Sequence, residues 1–376
     1  MPERIAITGL GLVTPLGGST PETWKALLDG QQAAKSWDDL KGEDFRHTVA
    51  CRIPSNSRAP GRDMALKATA EALSHARLTP PENTGIFLGS TMGESSHFER
   101  AAITGDTSSL SNSTASAFPK ALAKTYNLNG PQRAYGTACA AGNYAIKGGA
   151  DALLSGQCDV AITGGVEPFS RIAMAGFSRS RAMSTKGTCM PFQKGRDGML
   201  LGEGAAILIL ERETDARARG AEILAIVGAL GITSDAYHPT APDPDATHAI
   251  RAIKEALETQ NITPSEIDLV CAHGTGTALS DAAEARAIEA VFGTPSPPVT
   301  GLKSSFGHAL GAASAIEAAL SVKAISQSIV PPTLGGEEPG FPIDLTTRPM
   351  SKTLRWIANL AFAFGGLNTC LLLGKP

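Results

Sequence analysis

Short apolar runs of strand character alternate with helical periodicity along nearly all of the 376 residues. Gly85-Ile86-Phe87-Leu88-Gly89, Val160-Ala161-Ile162-Thr163 and Ala205-Ala206-Ile207-Leu208-Ile209-Leu210 read as strands. Asp63 to Ala76, Asn143 to Leu154 and His248 to Leu257 carry apolar residues at helical spacing. Such alternation calls for an α/β chain whose sheets are buried beneath helices on their faces. The length supplies two domain-sized units with substantial cores. Forty glycines suit many tight strand–helix turns. The charged stretch Glu211 to Arg219 reads as helix and divides the chain into halves at 1–215 and 216–376. No short-period repeat is present. Thr104 to Ser116, rich in Ser and Thr, and Gly335 to Pro342 read as surface loops.

Several function classes drop out. No apolar run approaches the ~20 residues needed to span a bilayer. Met1-Pro2-Glu3-Arg4 leads straight into a strand without a secretory apolar region. Six cysteines lack CxxC spacing, which argues against a zinc site or a disulfide framework. The expected setting is therefore a reduced cytoplasm. A net charge of −3 argues against bulk nucleic-acid binding. Gly9-Leu10-Gly11-Leu12-Val13-Thr14 starts like a dinucleotide-binding turn, but the third glycine is missing and Pro15 intrudes.

Cys139 sits in Gly136-Thr137-Ala138-Cys139-Ala140-Ala141-Gly142, where a small-residue run becomes helical. The first turn of a helix offers unpaired N–H groups and the positive dipole end, which favour thiolate over thiol. The plain alternative is a buried cysteine acting as a small hydrophobe. Three other segments weigh against it. His273 lies in Ala272-His273-Gly274-Thr275-Gly276-Thr277, after the strand end Ile267 to Cys271 and before Asp281. His308 lies in Lys303-Ser304-Ser305-Phe306-Gly307-His308, which reads as a loop entering a helix from about Ala312 to Ile325 that carries Glu317. Phe362-Ala363-Phe364-Gly365-Gly366-Leu367-Asn368 precedes a final strand, Cys370 to Leu373. Its paired glycines leave backbone N–H groups free to face a site.

Together these motifs resemble the elongating β-ketoacyl-[acyl-carrier-protein] synthases of the thiolase superfamily. The resemblance runs nearly end to end, through Ile5-Ala6-Ile7-Thr8-Gly9-Leu10-Gly11, Gly164-Gly165-Val166-Glu167, Arg196 to Gly204 and Ser234-Asp235-Ala236-Tyr237-His238. It implies the five-layered αβαβα thiolase fold built from two similar halves. It implies decarboxylative condensation of an acyl thioester with a malonyl thioester, an acyltransferase reaction of fatty acid or polyketide elongation. Cys139 would accept the acyl group, and helix-start activation would need neither imidazole. His273 and His308 would hydrogen-bond the malonyl thioester oxygen as neutral imidazoles. The N–H groups of Cys139 and Phe364 would hold the oxyanion. Lys303 would be a cation near His308 paired with Glu317, while Thr275 and Thr277 would bind the phosphopantetheine arm. Phe364 would be the gate, lined by Phe362, with Asp281 in support.

No metal and no cofactor is implied beyond the phosphopantetheine that arrives on acyl carrier protein. The implied partners are that acidic carrier and a second ketosynthase-like chain, in a homodimer or a heterodimer. Arg62, Lys67, Arg181, Lys194 and Arg196 would form a basic rim at the pantetheine tunnel. The chain departs from the family pattern at several places. Leu360-Ala361 replace an Asn-Ser pair, which weakens the case for a monovalent cation. Ala363 replaces a glycine of the gate. Ala140-Ala141 and Ala278-Leu279-Ser280 replace polar or glycine-containing segments. These departures point to a specialised synthase, such as one making polyenes. The alternatives are a chain-length-determining partner subunit and a coenzyme A thiolase.

Overall fold

In this computed structural model, residues 3–42, 45–336 and 338–376 are described. Met1 and Pro2 of the expected leader-free start, and Glu337 of the expected 335–342 loop, lie outside them.

Ten strands build one sheet: β1 (Ile5–Val13), β2 (Gly85–Gly89), β3 (Gln132–Tyr135), β4 (Val160–Glu167), β5 (Gly204–Arg212), β6 (Ala225–Ser234), β7 (Leu269–Cys271), β8 (Val299–Thr300), β9 (Trp356–Ala363) and β10 (Leu367–Gly374). Their spatial order is β8-β7-β9-β10-β6-β1-β5-β4-β2-β3. The order is a duplication: adding five to β3-β2-β4-β5-β1 yields β8-β7-β9-β10-β6. Strand directions repeat as well. β1–β5 and β6–β10 are antiparallel, whereas β4–β2 and β9–β7 are parallel. The halves meet where Ile5, Ala6 and Ile7 pair with Val227, Ile226 and Ala225.

Helices complete the layers. α1 (Pro60–Ala76) covers β1 and β5, while α3 (Thr247–Gln260) covers β6 and β10, with α4 (Ala278–Phe292) beside it. Between the two half-sheets lie α2 (Ala141–Leu154) and α5 (Leu310–Gln327), packed on each other. This is the expected five-layered arrangement. Close helix–sheet approach is duplicated too. A Cβ on Gly11 would sit 1.9 Å from the Ala68 carbonyl oxygen, and one on Gly231 would sit 1.9 Å from that of Ala252. Only glycine admits a backbone that near. α5 is buried along nearly its whole length. Its alanine-rich surface lets it fill the centre of the molecule.

Local structure differs from expectation in two useful places. Cys139 precedes α2, in a 3₁₀ turn spanning Ala138–Ala140. Lys303–Phe306 forms one helical turn rather than a loop, closed by Ser304 Oγ donating to the Gly301 carbonyl.

Candidate active site

The Cys139 turn joins the end of β3 to α2. Ala138 sits at φ 47°, a left-handed conformation that alanine adopts only under constraint. The turn brings Cys139 against Ala140, Ala361 and Ala363, leaving it 7% exposed. His273 follows β7 and His308 lies two residues before α5, so both arrive from the other half. His308 Nε2 lies 3.1 Å from Cys139 Sγ. The two imidazole rings stand edge to face, with centroids 5.3 Å apart. Cys139, His273 and His308 thus bring one sulfur and two ring nitrogens within 4.8 Å of one another. That set has the donor types of a thiophilic metal site, but the adjacent Lys303 ammonium opposes a second cation there.

Electrostatics correct one expectation. Burial pushes the Cys139 thiol up to about 12, against the pull of Lys303 and of the Phe364 and Cys139 N–H groups. Cys139 is therefore held as a thiol, because desolvation in an apolar box outweighs the helix start. Both histidines are pushed well below their usual range, first by burial and then by Lys303. They stand as neutral imidazoles.

Lys303 acts on His308 through its charge, while its hydrogen bonds go to Glu317 and His273. Its Nζ lies 3.3 Å from His273 Nδ1 and 2.5 Å from both the His273 carbonyl oxygen and Glu317 Oε1. The helical turn at Lys303–Phe306 aims the side chain back at the end of β7. An ammonium only donates, so His273 Nδ1 accepts and its proton resides on Nε2. The Lys303–Glu317 pair is fully buried, and burial pushes Glu317 up to about 7 despite the lysine's pull. Among the described residues His308 Nδ1 is buried without a partner, so no second group fixes its tautomer.

The loop after β7 hangs on two carboxylates. Asp281 accepts from the N–H groups of Gly276 (3.0 Å) and Phe192 (2.7 Å). Glu284, unremarked from sequence, accepts from His273 N–H at 2.6 Å and Gly274 N–H at 2.8 Å. Burial pushes Asp281 up to about 6 and Glu284 up to about 8. The one sequence signal for Glu284 is its place within the alanine run Ala282-Ala283-Glu284-Ala285. Glu167 ends the Gly164-Gly165-Val166-Glu167 motif. It accepts from the N–H groups of Thr91, Met92 and Gly311, so it ties β4 to the start of α5.

A cavity of about 350 Å³ opens onto these groups. Thr275 and Thr277 line it, with hydroxyls 3.0 Å apart, as do Phe362 and Phe364. Phe364 is 38% exposed at the tip of the β9–β10 hairpin, its ring centroid 5.6 Å from that of Phe177.

The sequence matches "Beta-ketoacyl synthase, N-terminal domain" over residues 2–61 and 54–216, and "Beta-ketoacyl synthase, C-terminal domain" over 224–337. The chain belongs to the β-ketoacyl synthase family. It is 34% identical to "3-oxoacyl-[acyl-carrier-protein] synthase 2" of Rhizobium meliloti, over 99% of each chain. It is also 34% identical to the mitochondrial 3-oxoacyl-[acyl-carrier-protein] synthase of Arabidopsis thaliana, over 99% of this chain and 93% of that one. Among solved structures, the ishigamide ketosynthase/chain length factor matches with TM-score 0.93 and 32% identity over all of both chains. A type II polyketide ketosynthase in complex with its acyl-carrier protein matches with TM-score 0.94 and 26% identity, again over all of both chains.

The basic residues of this β-ketoacyl synthase do not form the expected single rim. Arg181 lines the Cys139 cavity. Lys194 faces Glu338 at 3.3 Å, and Arg196 lies over the Phe341 ring near Asp281. The Lys67 ammonium lies beside Gly18. Arg62 instead joins Arg58, Arg100, Lys120 and Lys124 around a second cavity of about 700 Å³. Sequence spacing could not show this, because the cluster is drawn from three separate helical segments and the turn before them.

Proposed function

We propose that this chain joins an acyl group held on Cys139 to a malonyl group on acyl carrier protein, with loss of carbon dioxide, giving a 3-oxoacyl-carrier protein. The observation that carries the reading is the meeting of Cys139 Sγ with two neutral imidazoles at one cavity. Cys139 sulfur attacks the incoming thioester as its proton passes to His308 Nε2. That proton then leaves with the departing pantetheine thiol. The N–H groups of Cys139 and Phe364 hold the oxyanion, each such donor being worth about 3 kcal/mol at a transition state. When malonyl thioester replaces the pantetheine, His273 Nε2–H and His308 bond its carbonyl oxygen. The carboxylate departs as carbon dioxide, its electron pair forms the enolate, and the enolate carbon attacks acyl-Cys139 to expel the thiolate, which takes up one proton from solvent to return to the resting thiol. His308 serves first as acceptor and then as donor, a change its unpartnered Nδ1 permits.

The other readings are weaker. A thiolase needs a second cysteine at the site, and Cys370 packs with Leu360 and Leu372 on the α3/α4 side of the sheet. A subunit that only sets chain length has no need of the nucleophile. The partner reading rests on the five cations around the second cavity, which suit an acidic carrier protein. It also rests on β3, whose Gln132, Arg133 and Ala134 are exposed at a sheet edge three residues before the nucleophile turn. A second ketosynthase-like chain would cover that edge. All six cysteines are free and buried, which suits a reducing cytoplasm. Among the described residues no helix is long and apolar enough to cross a membrane.

Intact-protein mass after incubation with acyl-carrier protein tests the reading. The wild type gains one acyl group and Cys139→Ala gains none. Acylation of the Ala variant would move the nucleophile elsewhere.

A further inference from the structure

Asn143 and Asn359 are fully buried and bonded to each other across the two halves. Asn143 lies one helical turn after Cys139, near the start of α2. Asn359 lies in β9, the strand that leads to the Phe364 hairpin. Asn359 Nδ2 donates to Asn143 Oδ1 at 2.9 Å and to the Ser314 carbonyl of α5 at 3.0 Å. Asn143 Nδ2 donates to Thr369 Oγ1 at 3.1 Å and to the Asn359 carbonyl at 3.3 Å, while its backbone N–H donates to Ser314 Oγ at 3.1 Å. Thr369 in turn donates to the Ala361 carbonyl at 3.3 Å.

The strand register makes this network part of the nucleophile's surroundings. Successive side chains of β9 point to opposite faces. Ala361 and Ala363 pack with Cys139, whereas Ala358, Leu360 and Phe362 pack toward α3 and α4. Asn359 shares the face of Ala361 and Ala363. The network therefore joins the start of α2, the interior of α5 and both strands of the hairpin. Among the described residues Asn359 Oδ1 has no partner, and a buried acceptor left unpaired carries a desolvation cost. Apolar side chains of similar size would avoid that cost, but hydrogen bonds are directional where apolar contacts are not.

We propose that the Asn143–Asn359 pair is a positioning clamp, holding the Phe364 N–H in register with the Cys139 sulfur for acyl transfer. The proposal rests on the reading of Cys139 as acyl acceptor. The clamp touches neither the sulfur nor the histidines. Its loss therefore affects the step that needs both N–H donors and spares steps that do not.

The test compares wild type, Asn359→Leu and the double variant Asn143→Leu/Asn359→Leu. The double variant removes both amides together, so neither is left facing an apolar partner. Three rates are measured: acylation of Cys139 from acyl-carrier protein, alkylation of Cys139 by iodoacetamide, and carbon dioxide release from malonyl-carrier protein. Acylation is expected to slow by about tenfold to 100-fold in both variants, the range of a misplaced donor. Alkylation and carbon dioxide release are expected to hold at the wild-type rate. Unchanged acylation in either variant overturns the clamp, and so does a loss shared by all three rates. Failure of the wild type to acylate at all would instead remove the proposed function itself.

Discussion

His308 Nε2 lies 3.1 Å from Cys139 Sγ, so one imidazole faces the sulfur proposed as acyl acceptor and, on the same reading, the malonyl carbonyl. The buried thiol, pushed up to about 12, requires a proton acceptor, and this is the ring nitrogen within reach. His273 has no such contact, and Lys303 fixes its tautomer instead. The two histidines therefore separate in kinetics.

His273→Ala is expected to load acyl groups on Cys139 normally while losing carbon dioxide release by about 100-fold or more. His308→Ala is expected to lose carbon dioxide release and also to acylate slowly. Without the acceptor, its acylation follows the small thiolate fraction and rises about tenfold per pH unit below the thiol's raised value. Acylation by His308→Ala that is fast and independent of pH would show that the thiol ionises without it.

Lys303 and Glu317 form a buried pair whose single loss strands a charge. Lys303→Met is expected to destabilise by about 3–5 kcal/mol, and Lys303→Met with Glu317→Met to recover most of it. Neither variant should regain carbon dioxide release, because His273 Nδ1 has lost its donor. Thermal melts read alongside release of labelled carbon dioxide check this. Full activity in the double variant would reduce the pair to packing.

Ala363 ends β9 and pairs with Leu367 across the hairpin, with Gly365 and Gly366 at φ 82° and 72° in the turn. Its Cβ packs in the Cys139 box and restricts the backbone there. Ala363→Gly is expected to broaden the range of acyl lengths loaded on Cys139. Phe364→Ala should widen the opening but impair condensation. Acyl-enzyme yield against chain length is the measurement, and identical profiles for wild type and Ala363→Gly would remove the restriction.

Arg62→Glu with Lys120→Glu reverses two charges at the second cavity. The apparent KM for acyl-carrier protein is expected to rise at low salt. The difference should shrink as salt is added, since exposed charges are screened within ~8 Å at physiological ionic strength. The same pair of substitutions should leave iodoacetamide alkylation of Cys139 unchanged. An unaltered KM at low salt would place the carrier elsewhere.

The sequence by itself determined the strand–helix alternation, the helices near 63–76, 143–154, 248–257 and 312–325, and the motifs bearing Cys139, His273, His308 and the Phe364 loop. Each of these is written in local periodicity or in a short run of residue types, so neighbours in the chain suffice to read it. Tertiary structure alone decided that Lys303 holds His273, that Glu284 and Glu167 anchor the loops, and that the basic residues scatter instead of forming one rim. It also decided that Asn143 meets Asn359, 216 residues away. The protonation of Cys139 belongs with these. The helix start that favours thiolate is legible in sequence, but the burial that overrides it exists only once Ala361 and Ala363 from the far half close over the sulfur. Desolvation depends on what surrounds a group in space, and those surroundings come from segments that no local pattern connects.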